Sequence, residues 1–462
     1  MKSFNKYNDD ENERRKRRNF ICFSLIIGIK GVEIGVVKPT LYSYLKNEIK
    51  PKHLSEWYGL ISCSYYVASI IGSLTFTKYA DKTQNIRPIL NFTCLSISFG
   101  NIIYSLPFSP YPVLIGRFIQ GFGDGVTPVI MGEITRNFTP RQTYDRISKL
   151  VCIFYLSLVT SPIITKIFDR VNLKIGYMHF TVNNLPFILI SFIWLILAFV
   201  CHMIIKNIIS IEETSTKTSK QIIYPLSLRE LLSSVKFRIV MIMTSFSAYF
   251  SASFASITMP MISYEKYHLP TWWVSGLFAI SALTLLVFLC VSSRMNISGG
   301  KEIYFSISGF CGSMIAVQFL IGAVIASSSS SYKMLGESLL VFAAISTGYH
   351  FATEEALLSA ILGRFVPRST QTYALGIRRS TQSCGLVFAS FFSPMIAKHH
   401  VVEHGIVFSC LVFVMIVYAL YKSSLFVDMK VIRRKKKKKK NCLLYTSPSP
   451  RDKRQSRMPS SA

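Results

Sequence analysis

Eight ionisable side chains interrupt long apolar runs in this chain. Lys30, Glu33 and Lys38 lie in one run, Arg117 and Asp124 in a second, and His350, Glu354 and Glu355 in a third. A charge deep in hydrocarbon costs roughly 2.5–3.5 kcal/mol on insertion scales, so these groups must face one another or a polar space. On helices, Lys30 and Glu33 are i,i+3 neighbours that could pair on one face. Arg117 and Asp124 lie two turns apart on one face, and His350 and Glu354 share a face at i,i+4. Two chemistries suit this set. Arg117 could anchor the anionic or polar end of a small solute, or bond backbone carbonyls. Glu33, Asp124 and Glu354 could carry protons, because a partly desolvated carboxyl changes its ionisation with its surroundings. The structural alternative is that Lys30–Glu33 and Arg117–Asp124 are static pairs holding helices in register. Glu133, Lys149 and Lys166, near run ends, are expected to snorkel toward the interface. There is no Ser/His/Asp set, metal-ligand cluster or phosphate-binding glycine loop, so no enzyme, metal or cofactor is expected.

The elements that must position these groups are membrane spans. The 462 residues are 50% hydrophobic and only 16% charged, with a mean hydropathy of +0.37; soluble domains carry about 25% charged residues. Twelve apolar runs fall near 19–42, 57–77, 89–107, 111–134, 147–168, 184–205, 238–263, 272–292, 303–326, 336–363, 373–397 and 403–422. Each is long enough to cross a core of about 30 Å as a helix, and lipid offers no partner to free backbone groups. The expected fold class is therefore an all-α membrane protein of twelve transmembrane helices. A basic tail (1–18), two six-helix bundles (19–205 and 238–422), a polar linker (206–237) and a second tail (423–462) make up the chain. Lys and Arg crowd into alternate loops, with Arg14-Arg15-Lys16-Arg17-Arg18 the densest block, which puts both termini in the cytoplasm. Nine of ten cysteines lie singly in apolar runs, as small core residues do.

The net charge of +29 overstates the basic character. Residues 435–440 are six lysines, as poly(A) read in frame gives, and CLLYTSPSPRD at 442–452 looks like a translated library adapter. We read 435–462, with ten Lys/Arg and one Asp, as a translation artefact; the alternative is a genuine polybasic tail for anionic lipid. Nucleic acid is not an expected partner.

The two halves repeat. Ser161-Pro162-Ile163-Ile164-Thr165-Lys166 recurs as Ser393-Pro394-Met395-Ile396-Ala397-Lys398. Arg136 to Arg141 is echoed by Arg364 to Arg368, Trp57-Tyr58-Gly59-Leu60 by Trp273 to Leu277, and Pro39 and Tyr44 by Pro260 and Tyr264. Each echo pairs span n with span n+6 in the same orientation, the parallel-repeat plan of a transporter with its site between the halves.

Val113-x-x-x-Arg117-Phe118-Ile119-Gln120-Gly121-Phe122-Gly123-Asp124-Gly125 resembles the fourth-helix motif of the major facilitator superfamily. Of that family's loop 2–3 signature only Asp81 and Lys82 remain. The resemblance implies two parallel-repeat bundles, a cavity lined by spans 1, 4, 7 and 10, and an inner gate clamped by loop charges, here Asp81, Lys82, Arg136, Arg141, Arg364 and Arg368. Arg378 and Arg379 could meet the same clamp. Gln120, Gly121, Gly123, Gly125, Pro162 and Pro394 are expected to shape or pack helices. Within the family, Leu41 to Leu45, Glu56 to Leu60, Arg87 to Leu90, Gly100 to Pro107 and Gly376 to Ser380 resemble the endolysosomal ceroid-lipofuscinosis branch, which implies that membrane. The function so implied is alternating-access transport of a small molecule or ion, by symport or uniport and proton-coupled or not. The protein would be a monomer in the bilayer. A passive anion channel or uniporter on the same fold, and a non-transporting receptor or scaffold, are the alternatives.

Overall fold

The computed structural model describes residues 2–138, 140–175, 178–205, 247–294, 301–365, 371–399 and 405. Span 12 apart from residue 405, the linker and the 423–462 tail lie outside these. The first half comprises α1 (Lys2–Tyr44) with a π-helical end (Leu45–Ile49), α2 (Leu54–Thr83), α3 (Arg87–Tyr104), α4 (Pro110–Asp124), α5 (Thr127–Asn137), α6 (Pro140–Val159), α7 (Ser161–Phe168) and α8 (Leu185–Ile204). The second comprises α9 (Ser247–Glu265), α10 (Thr271–Arg294), α11 (Lys301–Ala326), α12 (Lys333–Phe365) and α13 (Gln371–His399).

Proline sets many of the boundaries. Pro88, Pro110, Pro128, Pro162 and Pro186 each occupy the first turn of a helix, where the missing N–H is not needed. Two expected spans are broken there. Span 4 divides into α4 and α5 because Pro128 cannot donate to the carbonyl of Asp124 and its ring would clash with it. The chain tightens instead, Gly125 N–H donating to Phe122 O and Val126 N–H to Gly123 O, both at 3.2 Å. Span 5 divides at Thr160, before Pro162. The repeat partner Pro394 lies inside a continuous α13, so one motif gives two helix shapes. The fold is all-α as expected, with one short antiparallel hairpin, Leu173–Ile175 with Met178–Phe180 (β1, β2), in the connection between α7 and α8.

The repeat is visible in the packing. In the first half α4 packs on α2 and α3, and α6 on α1; in the second, α12 packs on α10 and α11, and α13 on α9. Between the halves, α13 lies along α2 while α10 lies along α6 and α7, which is what a two-fold that exchanges span 2 with span 8 and span 5 with span 11 requires. Close approach here needs glycine. A Cβ on Gly121 would meet the Tyr65 carbonyl, one on Gly125 the Gly72 backbone, and one on Gly123 would lie 2.6 Å from Ile97 Cγ1. Large apolar side chains cover the outside, with Ile196, Phe199 and Ile167 each at least 64% exposed. In water so wide an apolar surface would signal an interface; here it faces acyl chains. Six described helices are long and apolar enough to cross a bilayer, by length and composition.

Candidate functional site

Between the two halves lies a cavity of about 200 Å³. Lys30 and Lys38 enter from α1, Arg117 from α4 and Arg379 from α13. Tyr65, Tyr66, Phe154, Tyr155, Phe278 and Phe351 give it aromatic walls. No acidic side chain lines it among the described residues. Spans 1, 4 and 10 contribute as expected; no described residue of span 7 does, and spans 2, 5, 8 and 11 supply most of the wall.

Arg117 is 6% exposed. Its guanidinium stacks 4.2 Å from the Tyr65 ring centroid and donates to Gln120 Oε1 at 2.7 Å. Gln120 Nε2 donates to Asn101 Oδ1 at 3.1 Å, and Asn101 Nδ2 donates to Glu33 Oε1 at 3.1 Å. Trp194 Nε1 donates to Glu33 Oε2 at 2.9 Å. Five residues from α1, α3, α4 and α8 thus form one directional chain. Each amide can offer its carbonyl on one side only while its NH₂ is engaged on the other, so the Glu33 carboxylate fixes which face Gln120 shows to Arg117.

Neither static pair envisaged from the sequence forms. Lys30 Nζ pairs with Asp124 and donates to Thr127 Oγ1 at 2.6 Å, on either side of the α4–α5 break. Glu33 turns away to α3 and α8. Arg117 and Asp124 are seven residues apart, a rise of about 10 Å, too long for an ion pair. Asp124, 1% exposed, instead accepts from Ser69 Oγ and from Arg379 Nη2, both at 3.0 Å. Arg379 therefore joins Asp124, not the expected clamp at Asp81, and ties the second half to the first in mid-bundle.

At the end where α1 begins, Arg136 lies 3.5 Å from Asp81 Oδ1 and donates to Glu133 Oε2 at 2.6 Å and to Gln84 Oε1 at 2.8 Å. Glu133 does not snorkel: it is 7% exposed and also accepts from Asn137. Lys82 is exposed. Arg141 and Arg364 lie on α6 and α12 and Glu354 and Glu355 on α12, but their side chains, like all of Arg368, lie outside what the structure describes. His350 is buried beside the Gly309 carbonyl, 2.7 Å from its Nδ1, and does not line the cavity. Lys149 pairs with Asp145 and Lys166 with Asp169, all four on the surface.

The opposite end carries a contact the sequence reading missed. Tyr264 Oη donates to the Pro39 carbonyl at 2.9 Å, and Tyr42 Oη to Glu265 Oε1 at 2.6 Å, with Lys46 Nζ 3.0 Å from the same oxygen. The Tyr42 and Tyr264 rings stack. Burial alone would raise the Glu265 pKa, but the Tyr42 hydroxyl and the Lys46 ammonium outweigh it and hold the carboxyl below its usual range. The signal was present: Pro39 and Pro260 are repeat echoes, and repeat-related helices meet at the two-fold axis.

Residues 23–353 match the pattern of the Major Facilitator Superfamily. The chain belongs to this family. It is 20% identical over 178 residues to the class H tetracycline resistance protein of Pasteurella multocida; the match covers 38% of this chain and 44% of that protein, less than half its length. Among solved structures it is similar to the human organic anion transporter MFSD10 (TETRAN), with TM-score 0.61, 13% identity and coverage of 87% of this chain and 99% of that one. It is also similar to a bacterial homologue of the human lysosomal transporter Spinster in an inward-facing, unoccupied conformation, with TM-score 0.62, 12% identity and coverage of 90% and 95%. At such identities these likenesses establish the fold. The chain is a multi-pass membrane protein of two parallel-repeat bundles.

Proposed function

We propose that this superfamily member carries a small organic anion across the membrane by alternating access, in the cavity between its halves. The observation that carries this is the set of four bases, Lys30, Lys38, Arg117 and Arg379, facing one aromatic-walled space that no described acid lines. A carboxylate or phosphate oxygen would accept from Arg117, the base whose orientation the Gln120–Asn101–Glu33 chain fixes. Tyr65 and Phe154 would cover its apolar body. Asp124 and Glu33 are the candidate proton sites, each a buried carboxylate bonded directly or through amides to a base of the cavity. The base-rich Asp81 end is assigned to the cytoplasm. An endolysosomal membrane fits the branch resemblance, and the printed name of the Spinster homologue is compatible with it.

The test is uptake by purified protein in liposomes, with a panel of organic anions, with and without a pH gradient. A hydrogen bond to a charged group is worth about 1.5–3 kcal/mol, so Arg117→Ala should raise KM by about 10- to 100-fold and Arg117→Lys by less. Uptake by Arg117→Ala equal to the parent would refute the anchoring role. A passive anion pathway uses the same four bases but predicts non-saturating current; the closed Tyr42–Glu265 end supports the carrier.

A further inference from the structure

The run Arg14–Arg18 lies on the stretch of α1 that precedes the bundle at the Asp81 end, and the helix sorts its charges. Arg15 pairs with Glu11 at 2.5 Å and Lys16 with Glu13 at 2.7 Å. Arg14, Arg17 and Arg18 are exposed, with no carboxylate paired to them among the described residues. Beside them runs a groove lined by Glu13, Arg14, Arg17, Phe20, Ile21 and Arg146. Arg146 arrives from α6. Its guanidinium lies 4.0 Å from the Phe138 ring centroid and 4.9 Å from that of Phe20, which fixes its plane. Glu13, the one acid of the groove, is already held by Lys16. Three guanidinium groups thus surround one space without a free counter-charge among the described residues.

Directly below, the surface turns apolar. Arg14, Arg17, Ile21 and Leu25 follow one another at i,i+3 and i,i+4 steps on a single helix face, with Ile21 52% and Leu25 45% exposed. From Arg17 to Ile21 the helix rises about 6 Å, roughly the step from a lipid phosphate to the start of its acyl chains.

We propose that this groove binds the phosphate-bearing headgroup of an anionic phospholipid, with an acyl chain laid along Ile21 and Leu25. Guanidinium forks match phosphate oxygens bidentately, and three of them favour a head carrying a phosphomonoester besides its diester. The lipid bridges α1, which carries Lys30 and Glu33, to α6, which packs beside it. Its assignment to the cytoplasmic leaflet rests on the orientation in the functional reading above; the binding itself does not.

The experiment uses the purified full chain in nanodiscs of phosphatidylcholine, alone or with 5 mole per cent (about one lipid in twenty) phosphatidylserine or phosphatidylinositol 4-phosphate. Lipid retention is read by native mass spectrometry and stability by thermal melting. The expected result is selective retention of the phosphoinositide, higher melting in its presence, and about tenfold weaker retention in Arg17→Gln and in Arg146→Gln. Arg18→Gln, in the same basic run but outside the groove, should retain the lipid like the parent. Should Arg146→Gln fold poorly, Arg14→Gln/Arg17→Gln serves in its place. Equal losses in the Arg18 and groove variants mean diffuse attraction and overturn the site. So does retention no better than that of phosphatidylcholine. Competition by soluble glycerophosphoinositol 4-phosphate at the lipid's own concentration overturns the lipid in favour of a free phosphate compound.

Discussion

Asp124→Asn tests whether one carboxylate balances two bases and joins the two halves. Asp124 Oδ2 lies 3.0 Å from Arg379 Nη2, and its other oxygen pairs with Lys30. At 3.0 Å and an effective dielectric constant of about 20, the Arg379 pair is worth roughly 5.5 kcal/mol before desolvation; a charged hydrogen bond nets about 1.5–3 kcal/mol. Removing the acid leaves Lys30 and Arg379 facing each other without a counter-charge, and breaking a buried pair that way costs about 3–5 kcal/mol. Arg379→Gln is milder, about 1.5–3 kcal/mol, because Lys30 and Ser69 still hold Asp124. The double variant should be about as stable as Asp124→Asn alone, short of the sum by about 1.5–3 kcal/mol, since losing Arg379 removes a base that Asp124→Asn strands. Equilibrium unfolding in mixed micelles, run as a double-mutant cycle, measures this. A coupling below about 0.5 kcal/mol would refute the reasoning, because partners 3.0 Å apart must register each other's removal.

Two further outcomes follow from single contacts. Gly125→Ala drives a Cβ into the Gly72 backbone whereas Gly276→Ala meets nothing within 4 Å; thermal melting should drop by at least the equivalent of 1–3 kcal/mol for the first and hold or rise for the second, as helix propensity favours alanine. The Glu265 carboxyl titrates lower when folded than unfolded, so its contribution is full above the unfolded carboxyl value of about 4.3 and is lost as pH falls through the lower folded value; melting of the parent should fall over that acid window more than that of Glu265→Gln, and parallel profiles would exclude the Tyr42–Glu265–Lys46 contact as the cause.

The sequence carried the fold well because hydropathy, proline and glycine act locally. Spans 1 to 11 emerge near their expected positions, and the echoes between halves are mirrored in matching helix contacts. The division of span 4, expected as one run over 111–134, was not read, although Pro128 carries its local cause. The partnerships within the site were not legible. Sequence spacing pairs a charge with its neighbour on the same helix, so Lys30 was matched with Glu33 and Arg117 with Asp124, while the fold matches Lys30, Glu33 and Asp124 with residues tens to hundreds of positions away and gives Arg117 the uncharged Gln120. Asn101, Ser69 and Trp194 look like ordinary span residues; only the three-dimensional approach of α2, α3 and α8 shows that they satisfy buried carboxylates. Arg379 was noticed, but its partner depends on how the two halves dock, which no local pattern encodes.

Charge counting around the cavity narrows the solute further. Four bases face it, and within the same network stand two buried carboxylates, Asp124 against Lys30 and Arg379, and Glu33 at the end of the chain from Arg117. The formal excess is two positive charges in a space walled by aromatic rings, where unbalanced charge is costly. A neutral solute would leave that excess in place and gain little from Arg117. A monoanion halves it, and a dianion cancels it while still finding Tyr65, Phe154 and Phe278 for its apolar part. Affinity within a matched series of neutral, monoanionic and dianionic compounds should therefore rise with charge at constant size, and Lys38→Gln, which removes a base without breaking any described ion pair, should flatten that series. Indifference of the parent to solute charge would mean that the four bases serve helix packing and that the walls alone select the cargo.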